Sequence, residues 1–478
     1  MSLEKSIPKL DIMDEEQKQL IHRYALKVLE TCGVRVDYPP VLKGLEKELP
    51  PTLRDGNRVR LPRELVEWAI QQAPAEIDVY DRLGEKRFTL GNDRTRFGIG
   101  VTTLFYQRPE DDSLEPFARR HMQDVTRLGD ALPYYDVVST IGIVQDVAAD
   151  VSDLYGTVDM LANTTKPLVI LVSDENRFGD VLDLIEHCCG ELSVKPFVIP
   201  YFNPVTPLVL NSGTLEKMEI AIQRGLPIIF SNYSMAGMST PITPAGTMVT
   251  LLAELLAGLT VSQLIRAGAP VILGMLPAWF DMKTMVNFYD PQSILMNLAC
   301  AEMMDYYHIP HAGTSGSGTG WGPDLLAAET YWMNHLSACL GRVGLAPFVG
   351  DNLTSKAFSA VNVVMAHEII AQSLMFSEGL DIGEEAAVLD EICQMGAGGN
   401  FLNAPSTRQR YRKAYYTSPI FPRWSMEKWL AEGRPRADQV LRKRTLDLLA
   451  TVKPPPDGSA LTEKGERWIK NKFGDRVG

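Results

Sequence analysis

This chain is short of the features that mark several protein classes. Its six cysteines, Cys32, Cys188, Cys189, Cys300, Cys339 and Cys393, form no CxxC pair. So sparse a set excludes a disulfide scaffold and reads as free thiols. Seven histidines are scattered along 478 residues. His308 and His311 form an HIPH step without a Cys or His partner nearby at ligand spacing, so no metal site is expected. No uncharged apolar run reaches 18 residues, and the opening MSLEKSIPKLDIMDEEQ holds no apolar signal core. No membrane span is expected, and the expected location is cytoplasmic. Positive charge is outnumbered, with 47 Lys and Arg against 59 Asp and Glu, a net charge of -12. An acidic surface repels phosphate backbones, so nucleic acid is not an expected partner. The sequence leaves homo-oligomer formation open.

What the chain does have is recurring punctuation. Proline stands before, or near the start of, a β-branched apolar run at Pro133, Pro167, Pro196, Pro227, Pro270, Pro310 and Pro347. The gaps are 34, 29, 31, 43, 40 and 37 residues. Proline suits a strand start, where no ladder hydrogen bond is lost. Short all-apolar runs suit parallel strands buried on both faces. Helical patterns follow near 116–131, 152–165, 176–191, 214–224, 244–267, 291–307, 322–343 and 357–378. Gly225, Gly268 and Gly344 stand where helix C-caps belong. TRFGIGV (95–101) supplies a strand at the front. Eight strand–helix units predict an α/β fold of the (β/α)8 barrel type, with a doubly wound open sheet as the alternative.

The barrel is expected over residues 93–380, between a mostly helical extension at 1–92 and another at 381–478. Asp14 can cap a helix ending at Gly33, with Leu20, Ile21, Tyr24, Val28 and Leu29 as its apolar stripe. TVKPPPDGS (451–459) reads as a stiff linker before a last charged helix.

Barrel chemistry sits at the C-terminal strand ends. SNYSMAGMSTPIT is expected as the loop after the fifth strand, with Thr243 capping the next helix and Pro244 at its first position. Aromatic and neutral polar residues recur at the same end: Phe105, Tyr201, Phe202, Asn203, Asn232, Tyr233, Trp279 and Trp321. Strand seven runs into AGTSGSGTGWG (312–322), and strand eight into Asp351 and Asn352. No lysine stands at a strand end for a Schiff base; Lys283 and Lys356 lie several residues into loops. No acid pair or triad spacing is visible, so no catalytic residue is singled out. Such a lining suits a quaternary ammonium, which aromatic faces hold without proton exchange. Each ring could equally be packing at the barrel end.

Three stretches resemble the trimethylamine methyltransferase family. GMSTPITPAG runs into a helix carrying Ala253-Glu254, HRYALKVLETCGVRV (22–36) is similar to the family's N-terminal helix, and GAGGNFLNAPSTRQRYR (396–412) to its C-terminal segment. The resemblance implies a (β/α)8 fold and methyl transfer from a methylated amine to the cobalt of a separate corrinoid protein. It implies no tightly bound cofactor in the chain itself. Founding members carry pyrrolysine at the mouth; this chain has none, and that position is expected within Thr314–Asp324. Members without pyrrolysine resemble glycine betaine methyltransferases, which makes glycine betaine the first expected substrate. A quaternary ammonium leaves as a neutral amine, so no general acid is needed. The substrate carboxylate would need donors, expected from backbone amides of 313–322, including Ser315 and Gly316, and from Asn203, His311 or Asn352. The alternatives are a barrel lyase or aldolase taking a small phosphorylated or carboxylated substrate, and a non-catalytic betaine-binding protein.

Overall fold

The computed structural model describes residues 5–91, 94–314, 316–318 and 320–474. Named parallel strands trace the barrel wall at Arg96–Ile99, Val137–Ser139, Leu168–Ile170, Val198–Phe202, Ile228–Ala236, Val271–Asp281 and Leu345–Val349. The seventh place in the wall is taken by His311 and Ala312, which bridge in parallel to Leu273 and to Leu345. The eighth strand pairs back to the first, Leu345 with Arg96 and Ala346 with Phe97, and closes the ring. Every proline-marked run therefore lies in the wall, and so does the front strand.

Helices α1 (Glu15–Thr31), α2 (Pro39–Glu48) and α3 (Arg63–Gln72) precede the barrel. Its outer ring is α4 (Arg119–Ala131), α5 (Ser152–Asn163), α6 (Phe178–Cys189), α7 (Ser212–Gln223), α8 (Pro244–Ile265), α9 (Pro291–Tyr306), α10 (Leu325–Leu340) and α11 (Ala360–Ser377). After it come α12 (Leu389–Met395), α13 (Pro405–Arg410), α14 (Met426–Ala431), α15 (Ala437–Thr451) and α16 (Gly458–Phe473). Gly225, Gly268 and Gly344 have φ of 76°, 78° and 83°, the left-handed conformation that lets the chain turn from helix to strand. Gly258 lets α8 press on the wall, since a Cβ there would stand 2.1 Å from the Phe230 ring.

Strand alternation sorts the core into two layers. Outward residues such as Phe230, Val271 and Leu273 pack under the helices. Inward residues Val137, Val169, Ile199, Ile229, Ile272 and Leu345 fill the barrel together with Ile77, Val79, Phe88 and Leu90. The last four belong to an antiparallel hairpin, Ile77–Tyr80 with Lys86–Leu90. Its backbone bonds ahead of the third and fourth strands, Arg82 N–H to Thr165 O and Tyr80 N–H to Pro196 O. The hairpin thus stoppers the N-terminal end of the barrel. A mostly helical reading of 1–92 omits it, along with the short strands at Val34–Val36, Arg54–Asp55 and Arg58–Val59.

Asp14 caps α1 in a reciprocal bond with Gln17, as expected. The apolar stripe is rotated from the expected one: Ile21, Ala25, Leu26 and Leu29 are buried, while Leu20 and Tyr24 are exposed. Two helices, α8 and α11, are long and apolar enough to cross a membrane by length and composition. Their charged residues hide this from a search for uncharged runs. In the fold 78% and 72% of their apolar windows are buried, so the barrel itself covers them. At the other end of the chain, α16 packs on α5. Arg119 ties the pair by donating to Asp159 and Glu466, and Arg82 grips Asp457 at the start of α16.

Candidate active site at the barrel mouth

The fifth strand does not stop where its polar residues begin. Ile228–Ala236 pairs with Val271–Trp279 over nine consecutive rungs, from Ile228–Val271 to Ala236–Trp279. The stretch SNYSMA expected as loop is therefore strand. The turn starts at Gly237, with φ 97°. The sixth strand then doubles back, Trp279 opposite Phe288 and Asp281 opposite Val286. Strands five and six with this return form a raised lip above the mouth. Behind the lip, Pro244 opens α8 as expected, but Thr243 makes no side-chain cap bond. Thr247 closes the turn instead, its hydroxyl donating to Pro241 O at 2.7 Å.

Alternation along an unbroken ladder decides which side chains face the axis. Ile229 lies inside, so Ser231 and Tyr233 share its face and Asn232 does not. Asn232 donates outward, to Leu251 O and to Glu254 Oε2, each at 2.8 Å. Glu254 is buried on α8 and also accepts from Thr206 Oγ1 and from Leu208 N–H. Tyr201 points inward and meets Phe348 edge-on, ring centroids 5.1 Å apart. Its neighbour Phe202 points outward, edge-on to Phe178 of α6 at 5.5 Å. Asn203 donates to Tyr201 Oη at 3.3 Å and to Ser231 O at 2.9 Å. Trp279 also lies on the outer face, its indole N–H donating at 2.7 Å to Asp290, the cap of α9.

The remaining candidates fall in three places. His311 is buried beside Gly91, Pro310 and Gly344, towards the stoppered end. Its Nδ1 is 2.7 Å from Val343 O, and burial pushes its pKa down to about 4, so it is neutral at pH 7. Asn352 is buried and donates to Gln107 Oε1 at 2.6 Å; Gln107 in turn donates to Trp321 O at 2.9 Å. Phe105, two residues before Gln107, and Trp321 are exposed at the rim. Gly316, with φ 104°, passes the Tyr331 ring, which a Cβ would meet at 2.9 Å. Ser315 lies outside the described residues.

Asp351 stands apart from these. It is fully buried, its Oδ2 accepts from Ser317 Oγ at 2.9 Å, and its Oδ1 has no partner among the described residues. Burial raises its pKa to about 6, against the pull of Ser355, Ser317 and the Gly318 N–H. Ser317 belongs to the Gly-rich loop 313–322. The same loop is stapled to the loop after strand eight by Thr354 N–H to Gly318 O and Leu353 N–H to Gly320 O.

Tyr289 and Phe348 were not singled out from the sequence. Burial holds the Tyr289 hydroxyl well above its ordinary pKa, and Tyr233, Asp351 and Tyr201 raise it further. Tyr289 therefore lies in the electrostatic neighbourhood of Tyr233, Asp351 and Tyr201, and Tyr201 packs edge-on to Phe348. Tyr233 is itself raised to about 12 by burial. Strict alternation from Leu345 would have put Phe348 outside; the register shift between Ala346 and Val349 turns it to the axis. Tyr289 had only its position before the Asp290–Pro291 helix start to recommend it.

The closed ring defines a (β/α)8 barrel, a fold whose enzymes carry their chemistry at the C-terminal strand ends. The chain belongs to the trimethylamine methyltransferase (MTTB) family, whose model matches residues 1–473, and is a methyltransferase. It is 27% identical over 478 residues to the glycine betaine methyltransferase of Desulfitobacterium hafniense (strain Y51), covering 99% of each chain. It is 26% identical to the trimethylamine methyltransferase MttB of Desulfitobacterium hafniense (strain DSM 10664 / DCB-2), covering 92% of this chain and 90% of that one. In fold it resembles the crystal structure of the Methanosarcina barkeri monomethylamine methyltransferase, with a TM-score of 0.50 at 8% identity, over 99% of this chain and 90% of that one.

Proposed function

We propose that the protein moves a methyl group from a quaternary amine, glycine betaine before others, to the cobalt(I) of a corrinoid carried by a separate protein. The observation that carries this reading is the set of rings turned to the axis at the C-terminal strand ends, Tyr201 against Phe348 on the fourth and eighth strands and Tyr233 on the fifth. Each ring face contributes on the order of 0.5–2 kcal/mol towards a cation that has no N–H to donate. The corrinoid supplies the nucleophile. The methyl–nitrogen bond breaks, its electron pair stays on nitrogen, and dimethylglycine leaves as a neutral amine without proton transfer. The residues of this chain bind the cation, aim one methyl outward and keep water away. Cobalt(I) needs reducing surroundings, which fits a cytoplasmic enzyme.

A lyase for a phosphorylated substrate fits less well. The buried charge at this mouth is a carboxylate, which repels phosphate, and Lys283 and Lys356 are exposed. Purified protein incubated with glycine betaine and a reduced corrinoid protein should form dimethylglycine, detected by mass spectrometry. No product from glycine betaine, proline betaine, carnitine or butyrobetaine would defeat the proposal.

A further inference from the structure

The mouth holds a charge that the fold itself leaves uncompensated. Asp351 is 0% exposed, and among the described residues no lysine, arginine or histidine is paired with it. Leaving a carboxylate dry and unpaired costs several kcal/mol. One of its oxygens is well held: Oδ2 accepts from Ser317, whose hydroxyl also stands 3.4 Å from that of Ser355. The backbone of the same residue is fixed too, its carbonyl accepting from the Tyr331 hydroxyl at 3.3 Å. The carboxylate is therefore pinned on one side, while Oδ1 has no donor among the described residues.

An orphaned oxygen is a fault in a structural ion pair but a requirement here. Ammonium groups with N–H bonds, and guanidinium groups, recognise a carboxylate by donating to it. A quaternary nitrogen cannot donate. A carboxylate built to face one must keep an oxygen free, and must be held from its other side so that it does not rotate. Asp351 meets both conditions, and it follows the eighth strand at the same end of the barrel as the inward-facing Tyr201 and Tyr233 of the fourth and fifth.

We propose that Asp351 is the counter-charge for the quaternary nitrogen of the substrate. Recognition then rests on the charge of the trimethylated head and not only on its shape. The inference depends on reading the mouth as a quaternary-amine site. It deepens that reading by naming a specificity-determining ion pair, and it assigns the Gly-rich loop to fixing the carboxylate.

The test compares glycine betaine with 3,3-dimethylbutanoate, which puts a neutral carbon in place of the charged nitrogen at nearly the same shape. Binding of each is measured by titration calorimetry to the full-length protein and to Asp351→Asn. Wild type should prefer glycine betaine by roughly tenfold or more, and Asp351→Asn should reduce that ratio to about threefold or less, a change of a kcal/mol or so. A variant that keeps the wild-type ratio overturns the inference and leaves the methyltransferase reading standing. Wild-type protein that binds neither glycine betaine nor choline overturns both. A measurement on wild type alone covers a variant that fails to fold. Between pH 5 and 6, glycine betaine binding in two buffers of different ionisation enthalpy should release a proton, because a bound cation favours ionised Asp351. Tyr201, Tyr233 and Tyr289 are all raised and stay protonated in this range. Absence of proton release counts against the proposal.

Discussion

Glu254 shows how the raised lip is held in place. Its Oε1 accepts from Leu208 N–H at 2.6 Å, and its Oε2 from Thr206 Oγ1 at 2.9 Å and Asn232 Nδ2 at 2.8 Å. One fully buried carboxylate thus joins α8, the connection after the fourth strand and the outer face of the fifth. Burial pushes its pKa up, and the three donors hold it back. Glu254→Leu removes the acceptor of three donors at once. A buried donor left unpaired costs about 1–3 kcal/mol, and the Thr206 hydroxyl can turn elsewhere, so the expected loss is about 3–5 kcal/mol. Melting entropy for a protein of 478 residues is roughly 1 kcal/mol per degree, which puts the drop in Tm at about 3–5 °C. Glu254→Gln keeps one accepting oxygen and should fall between. Scanning calorimetry of the three proteins at pH 7 measures the series. If Glu254→Leu melts within about 1 °C of wild type, the junction is not what fixes the lip, and Asn232 needs another account.

Tyr233 and Trp279 occupy opposite faces of the lip and should fail differently. Tyr233→Leu should weaken glycine betaine binding roughly two- to thirtyfold with little change in Tm. Trp279→Phe should lower Tm by about 1–3 °C through loss of the bond to Asp290, with binding unchanged. The reverse pattern would mean that the faces are misassigned. Asp351 supplies a pH dependence. Its folded pKa of about 6 lies above the ordinary 3.8, so its neutral form is the one the fold favours. Stability from this group is full below about pH 4 and is lost as pH rises through 6, by up to about 3 kcal/mol. Urea denaturation of wild type and Asp351→Asn should therefore show a stability gap that changes between pH 4.5 and pH 7; a constant gap contradicts the burial argument.

The strand frame was legible because proline, β-branched runs and C-cap glycines recur with even spacing, and each has a local cause. The mouth was less legible because strand length and facing are not local properties. Ser231–Ala236 looks like a turn by composition. It is strand because the sixth strand offers it a ladder of equal length. Without that extension the alternation could not be run to Tyr233 and Trp279, so both rings looked equivalent. Tyr201 and Phe202 show what could have been excluded: adjacent strand residues cannot both face the axis. His311 bridges the wall itself, so its side chain lies below the mouth, and composition alone does not mark where so short a strand ends. Tyr289 was out of reach, since only the hairpin after the sixth strand carries it back over the opening.

The stopper formed by Ile77–Tyr80 and Lys86–Leu90 bears on traffic through the enzyme. With the far end shut, reactant and spent amine share one doorway, the same doorway over which the proposed methyl acceptor must sit. Under the proposed reaction, turnover would then be ordered: the amine enters first, the acceptor closes the door, and the demethylated amine waits until the acceptor has gone. Such a vessel should show the leaving amine competing directly with its parent, and should stall when the acceptor is present in excess.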